Sequence, residues 1–402
     1  MRLPGRLRAA LKQSPPLPPA VVVGGGLNAL GVVRSLGQAG VPVWLLAGAA
    51  NMPAARSRYV EAIIYDDHES SAVVDALAEL AVRKPGPRRP LILTEEEKVA
   101  EISAQRARLE SDYHLMLPSA DIVTRLLHKE GFRKAAEAGG LAIPRSCRIR
   151  SSTDLAKIRK LIAPLIIKPA ARQAAYLSTF KRAYRAEDHD QAEALLVEML
   201  TASDDLIVQE WIDGDDSSIY FCLQFVPAQG QTPVSFVGRK LRSWPPETGG
   251  TACCIAAPEA ADDLTEPTTA FFRSQGVVGF ASMEYKWRSA TGEYVMIEPT
   301  IGRTDHQEEV ATLNGVNLPL AGYCWAIGRS LPKTEAAQPM CVWRDRDAEA
   351  NATASKPGMA HPAPASAHVI DALWRADDPA PSLYDLGHRI VTKLGRLTGR
   401  TQ

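Results

Sequence analysis

Gly279-Phe-Ala-Ser-Met-Glu-Tyr-Lys286 and Tyr294-Val-Met-Ile-Glu-Pro-Thr300 are two apolar runs, each carrying one glutamate, joined by Trp287-Arg-Ser-Ala-Thr-Gly-Glu293. The runs read as strands and the joint as a hairpin turn with Thr291-Gly292 at its tip. Strands connected in this way are neighbours, so Glu284 and Glu298 can approach one another. One or two such carboxylates, together with phosphate oxygens, are how a hard cation such as Mg²⁺ is usually held. The plainer reading is a hairpin with one solvated acid and one satisfied by a neighbour.

Upstream of the hairpin, Leu165-Ile-Ile-Lys-Pro169, Leu206-Ile-Val-Gln-Glu-Trp-Ile212 and Ile219 to Val226 read as further strands. A helix over residues 191–201 separates the first two, giving a mostly antiparallel α+β pattern. A long helical stretch over residues 119–140 precedes them. The beginning of the chain is different. Ala20-Val-Val-Val23 is a short continuous apolar run, as expected of a strand buried on both faces of a parallel sheet. Gly24-Gly-Gly-Leu-Asn-Ala-Leu-Gly31, a helical pattern and Val41-Pro-Val-Trp-Leu-Leu46 complete a βαβ unit. A helix over 71–83 and Pro90-Leu-Ile-Leu-Thr94 extend the alternation to about residue 118. The fold class is therefore α/β followed by α+β, with a basic, proline-rich tail over 1–18, a first domain over 19–118 and a second over 119–332. Residues 333–402 form an extension in which 345–366 lack periodicity, an expectation of disorder, and 371–396 hold short helices.

The glycine-rich turn admits three readings: amides presented to a phosphate, glycines permitting close strand–helix packing, or substrate contact by Asn28. A dinucleotide fingerprint also needs an acid at the end of the second strand. Leu45-Leu-Ala-Gly48 stands there instead, which disfavours an NAD-dependent oxidoreductase.

At 402 residues, with Lys plus Arg and Asp plus Glu both 46, no global field points to nucleic acid or an acidic partner. No apolar run nears the roughly 18 residues of a membrane span. Six cysteines without C-x-x-C spacing suit a reduced, cytoplasmic setting, and no zinc motif is present.

The ordered motifs of residues 20–330 resemble the ATP-grasp superfamily, in particular its carboxylate–amine ligases related to D-aspartate ligase and carbamoyl-phosphate synthetase. The resemblance implies a pre-ATP-grasp α/β domain followed by a two-lobed ATP-grasp domain whose lobes clasp ATP, with a linker near 206–216. It also implies a reaction in which a small carboxylate is activated by ATP and captured by an amine. Leu127-His-Lys-Glu-Gly-Phe132 resembles D-K-x-x-F, making Lys129 a phosphate contact, with His128 where the family has aspartate. Lys168 resembles the second phosphate-binding lysine; a lysine ending an apolar strand also requires an anionic partner on energetic grounds. Val208-Gln-Glu-Trp-Ile-Asp-Gly-Asp215 resembles the interlobe linker. The resemblance implies nucleoside contacts from Gln209, Glu210, Trp211, Ile212 and Asp215, with Asp213 and Asp216 as rivals for the ribose. Gly238-Arg-Lys-Leu-Arg242 resembles the basic strand facing the phosphoryl group, so Lys240, Arg242 and Arg303 are the candidate catalytic cations.

Glu284, Glu298 and Thr300 would hold Mg²⁺, with Mn²⁺ as an alternative. Two departures stand out. Thr300 replaces the metal-binding asparagine of E-x-N-P-R, which leaves Asp305 as a compensating candidate. Ala170-Ala-Arg-Gln-Ala-Ala-Tyr176 lacks the glycines of a phosphate loop, which leaves Arg172, Lys181 or Arg182 to hold phosphate by side chains. A nucleotide-binding module that has lost ligase turnover is therefore the alternative function. Oligomeric state is open, a homodimer included.

Overall fold

The computed structural model describes residues 17–48, 52–65, 73–170, 179–181, 183–228, 230–355 and 363–397. Arg172 and Arg182, and the basic tail over 1–16, lie outside the described residues.

The first domain is a parallel sheet of β1 (Ala20–Val23), β2 (Val43–Ala47), β3 (Val60–Tyr65), β4 (Arg89–Leu93) and β5 (Tyr113–Leu115), in the order β3-β2-β1-β4-β5. Val21, Val22, Leu45 and Ile92 are fully or almost fully buried, which is why these strands read as continuous apolar runs rather than as alternating ones. The strand order reverses between β1 and β4. In open parallel sheets that reversal opens a crevice at the carboxyl ends of the strands. Gly24 to Gly26 and Thr94 to Glu96 stand there. Gly24 has φ +125°, and a Cβ on it would fall 2.1 Å from Thr94 Oγ1, so glycine is required for this close approach.

The stretch 119–140 is not one helix. It divides into Ala120–Leu127 and Lys129–Ala138, because His128 adopts extended backbone and its Nδ1 accepts from the Glu130 amide at 3.2 Å. The ring does the capping work that aspartate ordinarily does.

A small antiparallel sheet follows: β6 (Ser146–Ile149), β7 (Leu165–Pro169), β8 (Tyr184–Ala186) and β9 (Leu206–Glu210), ordered β6-β9-β7-β8. One face, with Leu165, Ile167, Leu206 and Val208, packs against Ala192, Leu196 and Met199 of helix His189–Met199. The opposite face is left for Ile166, Lys168, Ile207 and Gln209.

The large sheet contains β10 (Ile219–Val226), β11 (Val234–Trp244), β12 (Gly250–Ala256), β13 (Gly279–Arg288), β14 (Glu293–Ile301), β15 (Cys341–Arg344) and β16 (His368–Asp371), ordered β14-β13-β10-β11-β12-β15-β16. The hairpin read from sequence is β13–β14. Gly292, at φ +67°, makes its turn and donates to the Arg288 carbonyl at 2.9 Å.

The end of the chain departs from expectation. Within the stretch expected to lack structure, Arg346–Ser355 is a helix; 356–362 lie outside the described residues. β15 and β16 complete the large sheet, and Ala380–Leu397 is one helix of 18 residues rather than several short ones. The segment also binds the first domain. Arg34, 1% exposed, pairs with fully buried Asp378 at 3.0 Å and donates to the carbonyls of Ala372 and Leu373. The second Asp378 oxygen accepts from the Arg58 amide. A buried charge pair persists only where its hydrogen-bonding capacity is met, and here the guanidinium and carboxylate both have several partners.

Candidate functional site

Glu284 and Glu298 stand directly opposite one another across β13 and β14, immediately before a β-bulge. Opposed residues in an antiparallel pair share a face, with Cβ atoms about 4.5–5.5 Å apart. Phe221 on β10 opposes Glu284, and Gly238 on β11 opposes Phe221. Lys240, two residues beyond Gly238, keeps to that face. Its ammonium meets Glu284 Oε2 at 2.7 Å; the lysine is 4% exposed and the glutamate 33%.

Beside the pair lies an open cleft. Glu298 lines it together with Lys129, Lys168 and Gln209, so four elements far apart in sequence converge there. Lys129 is the first residue of the helix that His128 caps. Lys168 projects from β7, opposite Ile207 of β9. Cations from two elements facing a carboxylate from a third form a suitable setting for a polyphosphate carrying a hard cation. Glu284 and Glu298 offer the oxygen donors Mg²⁺ prefers. Among the described residues no group of three or more His, Cys, Asp or Glu could hold a metal by itself, so phosphate or water oxygens would complete the coordination.

Several linker residues do not face the cleft. Glu210 alternates with Gln209 and points to the opposite side of the small sheet. There its carboxylate accepts from the Ile162 amide at 2.8 Å and pairs with Arg145 at 3.2 Å, which corrects the expectation that it binds a nucleoside. The Trp211 amide is spent on the Pro164 carbonyl, while Arg185 and Lys286 stand 4.9 Å and 5.6 Å from the centre of its ring. The Ile212 side chain is buried. Asp215 caps a short 3-10 turn through the amide and hydroxyl of Ser217. Its rival Asp216 is 1% exposed and accepts from the amides of Ser243 at 2.8 Å and Glu247 at 2.9 Å, so it is a buried brace and not a ribose contact. That brace holds the chain beyond Lys240, where Glu247 has φ +68°, an uncommon conformation for a non-glycine residue.

Arg242 donates to the Glu349 carbonyl at 3.3 Å and is thereby tied to the C-terminal segment. Thr300 opposes Ser282, whose hydroxyl donates to Asp305 at 2.8 Å. Asp305 also accepts from Gln307 and lies 3.7 Å from Arg303, so it is held within its own loop. Arg303 reaches across to Glu96 at 3.5 Å. Lys181 is exposed. Asn28 is buried and bonded to the backbone of Thr94 and Thr304, which makes it a fastener between domains and not a substrate contact.

Sequence reading passed over Glu96 and Arg133, both of which line the cleft. Glu96 follows β4 at the strand-order reversal, so the open-sheet rule was the available signal. It also passed over Glu308, a carboxyl 3% exposed whose Oε1 has no hydrogen-bond partner. Burial first, and the neighbouring Asp305 second, push it up to about 8. Burial lowers the pKa of His306, whose ring meets Trp343 edge-on at 5.3 Å. The thiols of Cys222, Cys253 and Cys254 are pushed up by burial, which argues against nucleophilic or redox use.

No family model matches the chain. A D-aspartate ligase from Enterococcus faecium is 24% identical over 314 residues, covering 74% of this chain and 74% of the relative. The Staphylococcus aureus N5-carboxyaminoimidazole synthetase complexed with ADP superposes with a TM-score of 0.62 at 13% identity, over 79% of this chain and 80% of that one. The L-amino acid ligase from Bacillus licheniformis does so at 0.57 and 16%, over 78% and 75%. The chain has the ATP-grasp fold. The small sheet and the large sheet both line the cleft. Among the described residues, no helix is long and apolar enough to cross a membrane.

Proposed function

We propose that this chain is an ATP-dependent carboxylate–amine ligase. The observation that carries the reading is the facing of Glu284 and Glu298, the second of them lining the cleft that also receives Lys129 and Lys168. The similarity to D-aspartate ligase and L-amino acid ligase supports it.

In this reading Lys129 and Lys168 grip the phosphates of ATP and Gln209 contacts the nucleoside. Glu284 and Glu298 hold Mg²⁺, or Mn²⁺ in its place, with Thr300 beside them. The bound cation would neutralise charge on the phosphates. A substrate carboxylate oxygen attacks the γ-phosphorus, ADP leaves, and an acyl phosphate forms. An amine nitrogen, having lost its proton to solvent, attacks the acyl carbon; the C–O bond breaks, inorganic phosphate departs and an amide remains. Arg303 would hold a carboxylate, and Lys240 and Arg242 would stabilise developing negative charge. Closure of the small lobe would exclude water, which otherwise hydrolyses an acyl phosphate. An ATP-consuming chain with six free thiols suits a reducing, cytoplasmic setting.

The test is ADP release across pairs of amino acids with Mg²⁺ present. Turnover with at least one pair, lost in Glu298→Gln, is the expected result. Nucleotide binding without turnover for any pair would leave a binding module in place of the ligase.

A further inference from the structure

Lys240 is an unexpected companion for a cation ligand. Its ammonium pairs with Glu284 at 2.7 Å, and its other contact, to the Gly249 carbonyl, is long at 3.4 Å. A second buried ammonium, Lys286, stands two residues along β13 on the same face. It is held by the carbonyls of Gly214 at 2.8 Å and Asp215 at 3.2 Å. Glu284 is thus flanked by two positive charges before any ligand arrives. A free divalent cation approaching it would meet both in a half-buried setting, where repulsion is weakly screened. A polyphosphate reverses that balance, because it brings several negative charges to the same face.

The mobility needed for an exchange lies in the lysine side chain. Asp216 fixes Ser243 and Glu247, so the backbone beyond the bulge that follows Lys240 is anchored. The four-carbon stem of Lys240, by contrast, is a flexible carrier of a point charge.

We propose that Lys240 and the divalent cation are alternative tenants of Glu284, so that the acid pair accepts a cation only in the company of a polyphosphate, which draws the ammonium away. This rests on Glu284 and Glu298 being cation ligands and adds an order to the binding: metal and nucleotide enter together.

Isothermal titration of the full chain with Mn²⁺ alone and with Mn²⁺ plus ADP tests it, in wild type, Lys240→Met, Glu284→Gln and the double variant. The wild type binds Mn²⁺ with ADP but binds Mn²⁺ alone weakly. Lys240→Met tightens binding of Mn²⁺ alone by about ten- to a hundredfold, the worth of a charge-assisted pair, and the double variant loses that gain. Where Lys240→Met fails to melt cooperatively, Lys240→Gln carries the same expectation. If Mn²⁺ with ADP binds in a Glu284-dependent way and neither Lys240 variant tightens Mn²⁺ alone, the exchange is overturned while the cation reading stands. If Glu284→Gln leaves Mn²⁺ binding untouched, the cation reading falls and the exchange falls with it.

Discussion

Replacing Glu308 by glutamine probes the buried carboxyl beside Asp305. The carboxyl is 3% exposed, its Oε1 lacks a partner, and burial helps raise its pKa to about 8. In the unfolded chain it titrates at its ordinary value near 4.5. Between these two values the native state keeps a proton that the unfolded state has released. Stability therefore falls as pH rises across that window and is level below 4.5 and above 8. A gap of about 3.5 units at 1.36 kcal/mol each sets an upper bound of roughly 5 kcal/mol on the loss. Glu308→Gln keeps the shape and removes the titration. Its amide also buries donors, at a cost of about 1–3 kcal/mol that does not vary with pH. Urea unfolding at pH 5, 7 and 9 reads the difference between the two chains. The variant should gain on the wild type by several kcal/mol from pH 5 to 9. A difference constant to within about 1 kcal/mol, less than one pKa unit's worth, would refute the reasoning.

Other expectations follow from the same geometry. Glu298→Gln should lower ADP release by about a hundredfold or more, as loss of transition-state charge stabilisation does, with an unchanged circular dichroism spectrum; activity within about threefold of wild type would count against a metal role. Lys168→Met should weaken ATP binding by about tenfold or more in a calorimetric titration, since a charge-assisted phosphate contact is lost. Arg34→Met leaves Asp378 buried without its partner and should cost about 3–5 kcal/mol, visible in denaturant unfolding and as faster proteolytic cleavage after residue 355. His128→Asp should preserve the helix cap and gain about 0.3–1 kcal/mol from the helix dipole, whereas His128→Ala should lose about 1 kcal/mol; equal stability of the two would show that residue 128 caps nothing.

Much of the fold was legible because it is written in local periodicity. The βαβ opening, the hairpin around Gly292 and the lysine ending Leu165-Ile-Ile-Lys168 depend on residues within a few positions of one another. Strand alternation alone also separates Gln209 from Glu210, because two successive side chains cannot face the same cleft. The helix break at His128 was less visible, since it turns on one imidazole accepting one amide. The C-terminal segment was misread for a different reason. Cys341–Arg344 is four residues long and acquires its role by pairing with β12, nearly ninety positions upstream.

Sequence by itself determined the βαβ opening, the hairpin with its two acids and the strand that ends in Lys168, because backbone hydrogen bonding and side-chain alternation are short-range. Only the tertiary structure decided that Asp216 is a brace, that Glu210 turns away, and that Lys240 sits on Glu284. Those outcomes depend on strand order and burial, since the strength of a charge's interactions is set by what the fold packs around it and not by its neighbours along the chain.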